Sequence, residues 1–359
     1  MTTTQVNLHQ LLRMMVERGA SVLHITTGAP PQLRIDGRLV SVKMPPLTPV
    51  DTKRLCYSIL TEAQKGRFET ENELDLSFGI KGLARFRSNI FVQRGAVAGA
   101  FRAIPFRIMS FAELGLPPML SDLTARTDGL VLVTGPTGSG KSTTLAAMVD
   151  KISSERSCHI ITIEDPIEYV YSHKNSIVNQ REVGGDTESF GGALRYVLRQ
   201  DPDVVMIGEI RDLESLEATM RIAETGHLVL TTMHTNSAIQ SINRIIDMFP
   251  PHQQMQARVQ LSFILVAVLS QRLLPRASGV GRILATEILL PNAAIRSLIR
   301  EDKAHQIYGQ MQMGQGKHGM QTMNQALAVL LQQNIVSEHD AYVNSPDPEE
   351  LSKMVKSSR

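Results

Sequence analysis

Residues 135–142 have the composition and spacing of a phosphate-binding loop. They read Gly-Pro-Thr-Gly-Ser-Gly-Lys-Ser, which matches the pattern Gly-x-x-x-x-Gly-Lys-[Ser/Thr]. Glycine allows successive backbone N–H groups to turn toward a phosphate, and the N-terminus of a following helix adds partial positive charge. We predict that this loop and the residue after it bind ATP. The predicted contact residues are Gly135, Pro136, Thr137, Gly138, Ser139, Gly140, Lys141, Ser142 and Thr143.

Two side chains at the end of this loop have separate chemical tasks. The Lys141 ammonium is expected to reach the β- and γ-phosphates of ATP, and the Ser142 hydroxyl is a predicted Mg²⁺ ligand. An apolar run at 130–133 predicts a buried strand before the loop, and apolar residues at helical spacing over 145–152 predict a helix after it. Because this is the context that the motif requires, a chance match in a glycine-rich turn is the less favoured interpretation.

Polar side chains follow three further predicted strands at the points where those strands end. The apolar runs of these strands cover 160–163, 204–207 and 228–230. The polar residues of interest after them are Glu164, Glu168, Glu209 and His234. Because ligands of open parallel sheets bind at the carboxyl ends of the strands, we expect these side chains to lie near the phosphate loop.

These residue types suit the hydrolysis of a nucleoside triphosphate. The reaction needs Mg²⁺ beside the phosphates and a carboxylate that orients or deprotonates the attacking water. Glu209 ends a wholly apolar strand and is the second predicted metal ligand, beside Ser142. Glu164 and Glu168 are candidates to hold water or metal, and His234 is a candidate to hydrogen-bond the γ-phosphate.

An arginine-rich stretch is the main chemical feature of the N-terminal part. No Asp or Glu occurs between Leu76 and Ala112. The candidate site residues in this stretch are Arg85, Arg87, Arg94 and Arg102. Strand alternation places Arg85 and Arg87 on one face of a predicted strand. A solvated charged face is the simpler interpretation, whereas the functional one is that these guanidinium groups contact a polyphosphate or an acidic partner.

The composition limits the class of protein. The length of 359 residues suggests two domains, and a net charge of +2 with 42% apolar residues is typical of an ordinary globular protein. No apolar run approaches the length of a membrane span and the first residues do not resemble a signal peptide, so we expect a soluble intracellular protein. Cys56 and Cys158 are too few for a four-cysteine zinc site.

The patterns divide the chain into a domain over 1–107, a linker over 108–119 and a second domain over 120–359. In the first domain, an amphipathic helix, alternating strands and a hairpin turn at Asp36-Gly37 predict an α+β structure. The second domain alternates strand and helix patterns, which is typical of a parallel α/β sheet. Beyond Ser345 the chain is polar, and we expect it to be loosely ordered.

The motifs of the second domain together resemble those of the type II/type IV secretion ATPases. Residues 160–168, 201–212 and 226–235 are similar to the Asp box, the Walker B motif and the His box of that family. The resemblance implies an α/β protein in which an N-terminal PAS-like α+β domain precedes a RecA-like P-loop NTPase domain with a parallel sheet and a C-terminal helical region. It also implies a homohexameric ring in which ATP binds between the two domains and the N-terminal arginines complete the site.

Two further segments, 19–24 and 294–301, resemble those of the pilus-retraction members of the family. This resemblance implies a motor that hydrolyses ATP to retract type IV pili in twitching motility. Its partner would be the inner-membrane pilus platform protein. The motor would lie in the cytoplasm, at the inner face of the inner membrane, and would associate with the membrane only through that partner.

The resemblance leaves some residue assignments open. Val22 and Ser297 stand where the family usually has Asp and Asn, respectively. The family also leaves the general base open between Glu168 and Glu209; we favour Glu168 as the base, with Glu209 near the metal. We do not rank the four arginines.

Three alternative functions are weighed against pilus retraction. A pilus-extension or type II secretion ATPase typically carries a tetracysteine zinc module, which two cysteines exclude. A RecA-like nucleic-acid translocase needs aromatic side chains for base stacking, but aromatic residues make up 4% and Trp is absent, so no nucleic-acid partner is expected. A nucleotide-gated switch with little hydrolysis is disfavoured by the carboxylates at the strand ends.

Overall fold

The computed structural model describes residues 7–35, 38–104 and 107–357, without the side chains of 315–318 and 357. The chain forms two compact units. The first comprises Met1–Arg107 and Pro166–Val170, and the second comprises Ile108–Asp165 and Tyr171–Arg359. Within the described residues, no helix combines the length and the apolar character that a membrane span requires.

The described part of the first unit is an antiparallel sheet with helices. Its elements are α1 (Leu8–Glu17), β1 (Val22–Ile25), β2 (Gln32–Ile35), β3 (Arg38–Ser41), α2 (Pro49–Tyr57), α3 (Glu62–Glu71), β4 (Glu73–Ile80), β5 (Ala84–Gln93) and β6 (Ala96–Ile104). The strand order is β3-β2-β1-β6-β5-β4, and every neighbouring pair is antiparallel. The predicted hairpin turn at Asp36-Gly37 lies outside the described residues, although Ile35 pairs with Arg38.

The core of the first unit follows from the apolar pattern of its elements. The buried side chains of α1 are Leu8, Leu11, Leu12 and Met15. They belong to one cluster with the inward residues of the sheet, among them Phe86 and Phe101, which are fully buried. This alternation leaves Arg85 and Arg87 on the opposite face of β5 from Phe86.

The second unit contains a mostly parallel sheet and helices. Its elements are α4 (Phe111–Leu114), α5 (Leu120–Thr124), β7 (Gly129–Thr134), α6 (Lys141–Glu155), β8 (His159–Glu164), β9 (Ile177–Glu182), α7 (Phe190–Val197), β10 (Val204–Ile207), α8 (Leu213–Glu224), β11 (Leu228–Met233), α9 (Ala238–Asp247), α10 (Gln254–Ile264), β12 (Leu265–Pro275), β13 (Arg282–Leu289), α11 (Ala293–Arg300), α12 (Ile307–His318), α13 (Met323–Gln332), α14 (Glu338–Asn344) and α15 (Pro348–Ser357). The strand order is β13-β12-β7-β11-β10-β8-β9.

The pairing in this sheet confirms the predicted fold class. All neighbouring strands run parallel except β12 and β13, which are antiparallel. Every residue of β7, β10 and β11 is buried, which explains why these strands appear in the sequence as continuous apolar runs. An N-terminal antiparallel-sheet domain is therefore followed by a P-loop domain with a parallel sheet and C-terminal helices.

The expectation of loose order beyond Ser345 is wrong. Residues 348–357 form α15, and Leu351 of this helix is fully buried in a cluster with α13. Asn324 ties the preceding segment to α13, because its amide donates to the Asp347 carbonyl at 2.9 Å and accepts from the Ser345 hydroxyl at 2.7 Å. The polar residues of this segment thus cover the outside of a packed helix.

Candidate nucleotide site

The phosphate loop connects β7 to α6 and turns through glycines. Gly135, Gly138 and Gly140 have φ values of 141°, 80° and 92°, which side chains with a Cβ rarely adopt. At Gly135 a Cβ would also lie 2.4 Å from the carbonyl oxygen of Gln271. The loop therefore needs glycine at this position both for its conformation and for its close approach to the neighbouring strand.

Lys141 begins α6, and its side chain folds back over the loop. The residue is buried, and its Nζ donates to the carbonyl oxygens of Gly135 at 2.9 Å and Pro136 at 3.0 Å. The ammonium is thus held against the backbone of the loop. Ser142 and Thr143, in the first turn of the same helix, are half-buried.

A buried hydroxyl within this loop supports the interpretation that the loop binds phosphate. Ser139 Oγ is inaccessible to solvent and has no hydrogen-bond partner among the described residues. Buried polar groups are normally satisfied, and a donor to bound phosphate is one explanation for an orphaned hydroxyl in a glycine-rich loop. The other loop residues, Pro136, Thr137 and Gly138, are exposed, so the loop opens to solvent on this side.

Three polar strand ends follow the phosphate loop along one edge of the sheet. The strand before the loop, β7, neighbours β11, then β10, then β8. His234, Glu209 and Glu164 stand at the carboxyl ends of these strands in that order. Since neighbouring strands are about 4.8 Å apart, the phosphate loop and these side chains occupy successive positions on one sheet edge.

Glu209 is the centre of a charged cluster at this edge. Its Oε2 lies 3.0 Å from Nε2 of His234, and its Oε1 contacts the Arg211 guanidinium. Arg211 also donates to Asp165 at 3.2 Å, so it joins the ends of β10 and β8. Only 17% of the Glu209 side chain is exposed, against 53% for His234, which leaves the imidazole open to a ligand.

Glu164 is buried, unlike its neighbours on the sheet edge. One of its carboxylate oxygens accepts from the hydroxyl of Thr162 at 2.6 Å and from the amide of Gln180 at 3.2 Å. These bonds from β8 and β9 orient the carboxylate. A further bond joins β11 to the end of β10, because the hydroxyl of Thr232 donates to the Gly208 carbonyl at 2.6 Å.

The arginines of the first unit are divided by the register of its sheet. Arg87 of β5 lies directly opposite Arg102 of β6, and Arg102 in turn lies opposite Val22 of β1. Two guanidinium groups in a cross-strand pair repel each other, so an anion between them is favoured. Both arginines line a cavity of about 740 Å³ whose other charged or basic residues are His24, Arg34 and Asp75.

Arg85 and Arg94 occupy different surroundings. Arg85 Nη2 donates to the hydroxyl of Ser77 on β4 at 3.1 Å. Arg94 forms the turn between β5 and β6 with Gly95, both at positive φ. Arg94 lies seven positions after Arg87 in the sequence, which corresponds to roughly 23 Å along an extended strand. The structure therefore groups Arg87 with Arg102 and places Arg94 at the far end of the hairpin.

Glu168 belongs to the first unit, because the segment Pro166–Val170 packs with that unit. Its side chain is exposed, and it lines a small cleft of about 190 Å³. Arg87 and Arg102 line the same cleft. Among the predicted carboxylates, Glu168 is thus brought together with arginines of the first unit, whereas Glu209 and Glu164 stand at the sheet edge of the second.

Several residues of the site were not singled out from the sequence. Arg211 and Asp165 were visible only as parts of polar clusters, because no spacing rule pairs an arginine with a carboxylate 46 positions away. Gln271 was missed because β12 was not predicted, yet its amide donates to Thr144 of α6 at 2.8 Å. Arg34 was missed because its proximity to Arg102 depends on the order of strands in the sheet.

This fold and this loop together define a P-loop α/β protein that binds nucleoside triphosphates. The model of the family described as "Type II/IV secretion system protein" matches residues 4–280. The chain belongs to this family.

Individual relatives cover nearly the whole chain. A Pseudomonas aeruginosa protein named "Type IV pilus retractation ATPase PilT" is 44% identical over 344 residues, which is 96% of this chain and 99% of the relative. A Neisseria gonorrhoeae "Twitching motility protein" is 42% identical and covers 90% of this chain and 86% of its own length. The crystal structure of "the Pilus Retraction Motor PilT and Bound ADP" superposes with a TM-score of 0.92 at 54% identity, over 97% of this chain and 99% of that one.

Proposed function

We propose that this chain is an ATP-hydrolysing motor that powers the retraction of type IV pili. The observation that carries the proposal is the sheet edge on which the phosphate loop is followed by His234, Glu209 and Glu164. The P. aeruginosa relative named as a retraction ATPase matches 96% of this chain, which supports pilus retraction as the work that ATP hydrolysis drives. The solved relative carries ADP, which supports a nucleotide as the ligand.

In the proposed complex before hydrolysis, the phosphate loop binds the phosphates of the nucleotide. The Nζ of Lys141, now on the carbonyls of Gly135 and Pro136, turns to the β- and γ-phosphate oxygens. The N–H groups of the loop and the hydroxyl of Ser139 donate to the same phosphates. Ser142 and Glu209 are the proposed holders of Mg²⁺, which when bound would neutralise phosphate charge.

Hydrolysis needs one carboxylate to accept a proton from water, and we assign this task to Glu168. Its side chain is exposed to solvent, and Arg87 and Arg102 in the same cleft offer positive charge to a transferring phosphoryl group. Glu209, clamped by Arg211 and His234, is better suited to a fixed role near the metal. His234 would contact the γ-phosphate and lose that contact after cleavage.

The assembly belongs to the same proposal. We infer a homohexamer in the cytoplasm at the inner face of the inner membrane, in which N-terminal arginines complete the ATP site. The partner is the inner-membrane pilus platform protein, through which alone the motor associates with the membrane. A ring suits the proposal because it links the state of one site to the movement of its neighbours.

Deletion of the gene in its host, scored by surface pili and by crawling on a surface, tests the function. Retraction predicts hyperpiliated, immobile cells that recover when the intact gene is restored. A Lys141→Ala copy should fail to restore crawling, which ties the phenotype to hydrolysis. Bald cells would instead indicate pilus extension, and unchanged pili with unchanged crawling would contradict both.

A further inference from the structure

Arg296, on α11, reaches the junction between α10 and β12. Its guanidinium donates to the backbone carbonyls of Ser262, of Phe263 at 2.7 Å and of Leu265 at 3.2 Å. Ser262 and Phe263 lie in the last turn of α10, where carbonyls have no partner within the helix. A cation at a helix C-terminus also complements the helix dipole. Arg296 therefore fixes the point at which the helix becomes a strand.

This junction is pressed against the start of β7, the strand that leads into the phosphate loop. A Cβ on Gly129 would lie 2.3 Å from Val266 Cγ2 and 2.9 Å from the carbonyl oxygen of Ile264. The register between β12 and β7 shifts at the same point, between Leu265 and Ala267. With so little space between the two strands, a displaced junction also displaces β7.

The middle of β12 contacts the phosphate loop itself. The hydroxyls of Ser270 and Thr134 are 2.8 Å apart in a buried position just before the loop. Gln271 places its carbonyl against Gly135 and its amide on Thr144, so it touches both sides of the loop. β12 thus connects the carbonyls held by Arg296 to the cradle for phosphate.

We propose that Arg296 is a positioning residue for nucleotide binding, which acts on the phosphate loop through β12. This proposal depends on one part of the proposed function, namely that the phosphate loop binds a nucleotide. The consequence is that α11, a surface helix on which no catalytic role falls, determines how well ordered the phosphate cradle is before ATP arrives. Loss of the three carbonyl bonds should loosen the junction, then β12, then the loop.

Arg300 provides a matched control on the same helix. It lies one turn after Arg296 and approaches the same junction, but its described contacts are with side chains: the hydroxyl of Ser262 at 3.4 Å and the ring of Phe263, whose centroid is 5.8 Å away. Replacing it removes a similar charge from a similar place without releasing a backbone carbonyl. An effect shared by both arginines would therefore be one of charge and not of position.

The test compares Arg296→Gln, Arg296→Lys and Arg300→Gln in the full chain by ADP titration and by hydrogen exchange without nucleotide. We expect Arg296→Gln to weaken ADP binding about tenfold, since it loses hydrogen bonds from a charged donor. Amides of 265–271 and 130–144 should exchange faster. Arg296→Lys should lie between, because one ammonium cannot span three carbonyls, and Arg300→Gln should resemble the parent.

Unchanged ADP affinity and unchanged exchange of the loop in Arg296→Gln would overturn the proposal, even if the melting temperature falls. Should that variant not fold, Arg296→Lys decides by the same two measurements. Equal effects of Arg300→Gln would also overturn it. Failure of the parent chain to bind ADP would contradict the proposed nucleotide site instead, while the ligand-free exchange would still report on the positioning role.

Discussion

His234 and Glu209 come from the ends of adjacent parallel strands and meet through an Nε2–Oε2 distance of 3.0 Å. The carboxylate favours a proton on Nε2, and the exposed face of the imidazole remains open to a ligand. A change in the position of either side chain therefore shifts the other through this hydrogen bond. In the proposed mechanism, this pair would respond to the presence or absence of a γ-phosphate.

Replacement of His234 by Ala should lower kcat about tenfold, because the hydrogen bond to the γ-phosphate and the support of Glu209 are both lost. His227 is a matched control, since it stands at the opposite end of the same strand and bonds to Thr225 and to the Ile222 carbonyl. Steady-state ATPase assays of His234→Ala and His227→Ala make the comparison. Equal losses in the two variants would show that the effect is not specific to the sheet edge.

Lys141→Ala should reduce ATP turnover by about 100-fold or more, as expected for removal of a preorganised donor to a transferring phosphoryl group. The melting temperature should fall only modestly, because one of the two lost hydrogen bonds goes to Pro136, which is exposed, and the other to the buried Gly135 carbonyl. Phosphate release and thermal unfolding are measured on the same preparation. Turnover near that of the parent would refute the phosphate loop as the site of hydrolysis.

The two glutamates assigned different tasks should fail in different ways. Glu168→Gln should lower kcat at least about 100-fold while nucleotide affinity is kept, since only the proton acceptor is lost. Glu209→Gln should instead raise the Mg²⁺ concentration needed for half-maximal rate. Titration of Mg²⁺ at saturating ATP separates the two outcomes, and the reverse pattern would exchange the assignments.

The arginines should be unequal, because the sheet register groups only some of them. We expect Arg87→Ala and Arg102→Ala each to lower kcat about tenfold or more, as for charge stabilisation of a phosphoryl group. Arg94→Ala, at the tip of the hairpin, should stay within about twofold of the parent. A drop in melting temperature without a drop in activity per folded molecule would favour a merely solvated face.

Burial raises the pKa of the Cys56 thiol to about 12 from its ordinary value of 9.0. Between pH 9 and about 12, the thiol therefore stays protonated in the folded chain but ionises in the unfolded chain. Stability should fall as pH rises above 9 and continue to fall toward the folded pKa near 12. Urea unfolding at pH 8, 9.5 and 10.5 measures this slope.

A Cys56→Ala variant should show a shallower fall in stability over the same pH range, whatever its stability at pH 8. Native Cys56 should also resist alkylation, because only the thiolate reacts, whereas half-exposed Cys158 should be modified first. Mass spectrometry after mild alkylation at pH 8 identifies the site. Prior modification of Cys56 would contradict the burial argument.

The sequence predicts the central motor sheet well because its signals are local. A phosphate loop, apolar runs and polar residues immediately after them are all read within a few positions, and parallel pairing then aligns them. The strand pair β12 and β13 was not predicted, because its apolar residues around 263–269 continue directly from a helix without a turn signal. Gln271 was consequently not recognised as a neighbour of the phosphate loop, and Arg296 was not recognised as a partner of the junction between α10 and β12.

The site residues depend on pairing at long range, which a single sequence does not encode locally. Arg87 and Arg102 were grouped with Arg94 by proximity in sequence, whereas the hairpin register separates them. The helix α15 was missed because polar residues dominate it, although Leu351 is fully buried and Met354 and Val355 pack against the same cluster. Sequence patterns therefore predict the helices and strands, whereas the side chains that meet in the site follow from the order of strands in the sheets.

The segment Pro166–Val170 has a consequence for how this protein can be dissected. It belongs to the first unit although the chain on both sides of it belongs to the second. A gene fragment cut after residue 107 would leave Glu168 behind, and the remaining fragment would carry a piece of a fold it cannot complete. The first fragment therefore lacks part of its own unit, and a protein divided at residue 107 would have Glu168 and its arginines on separate chains.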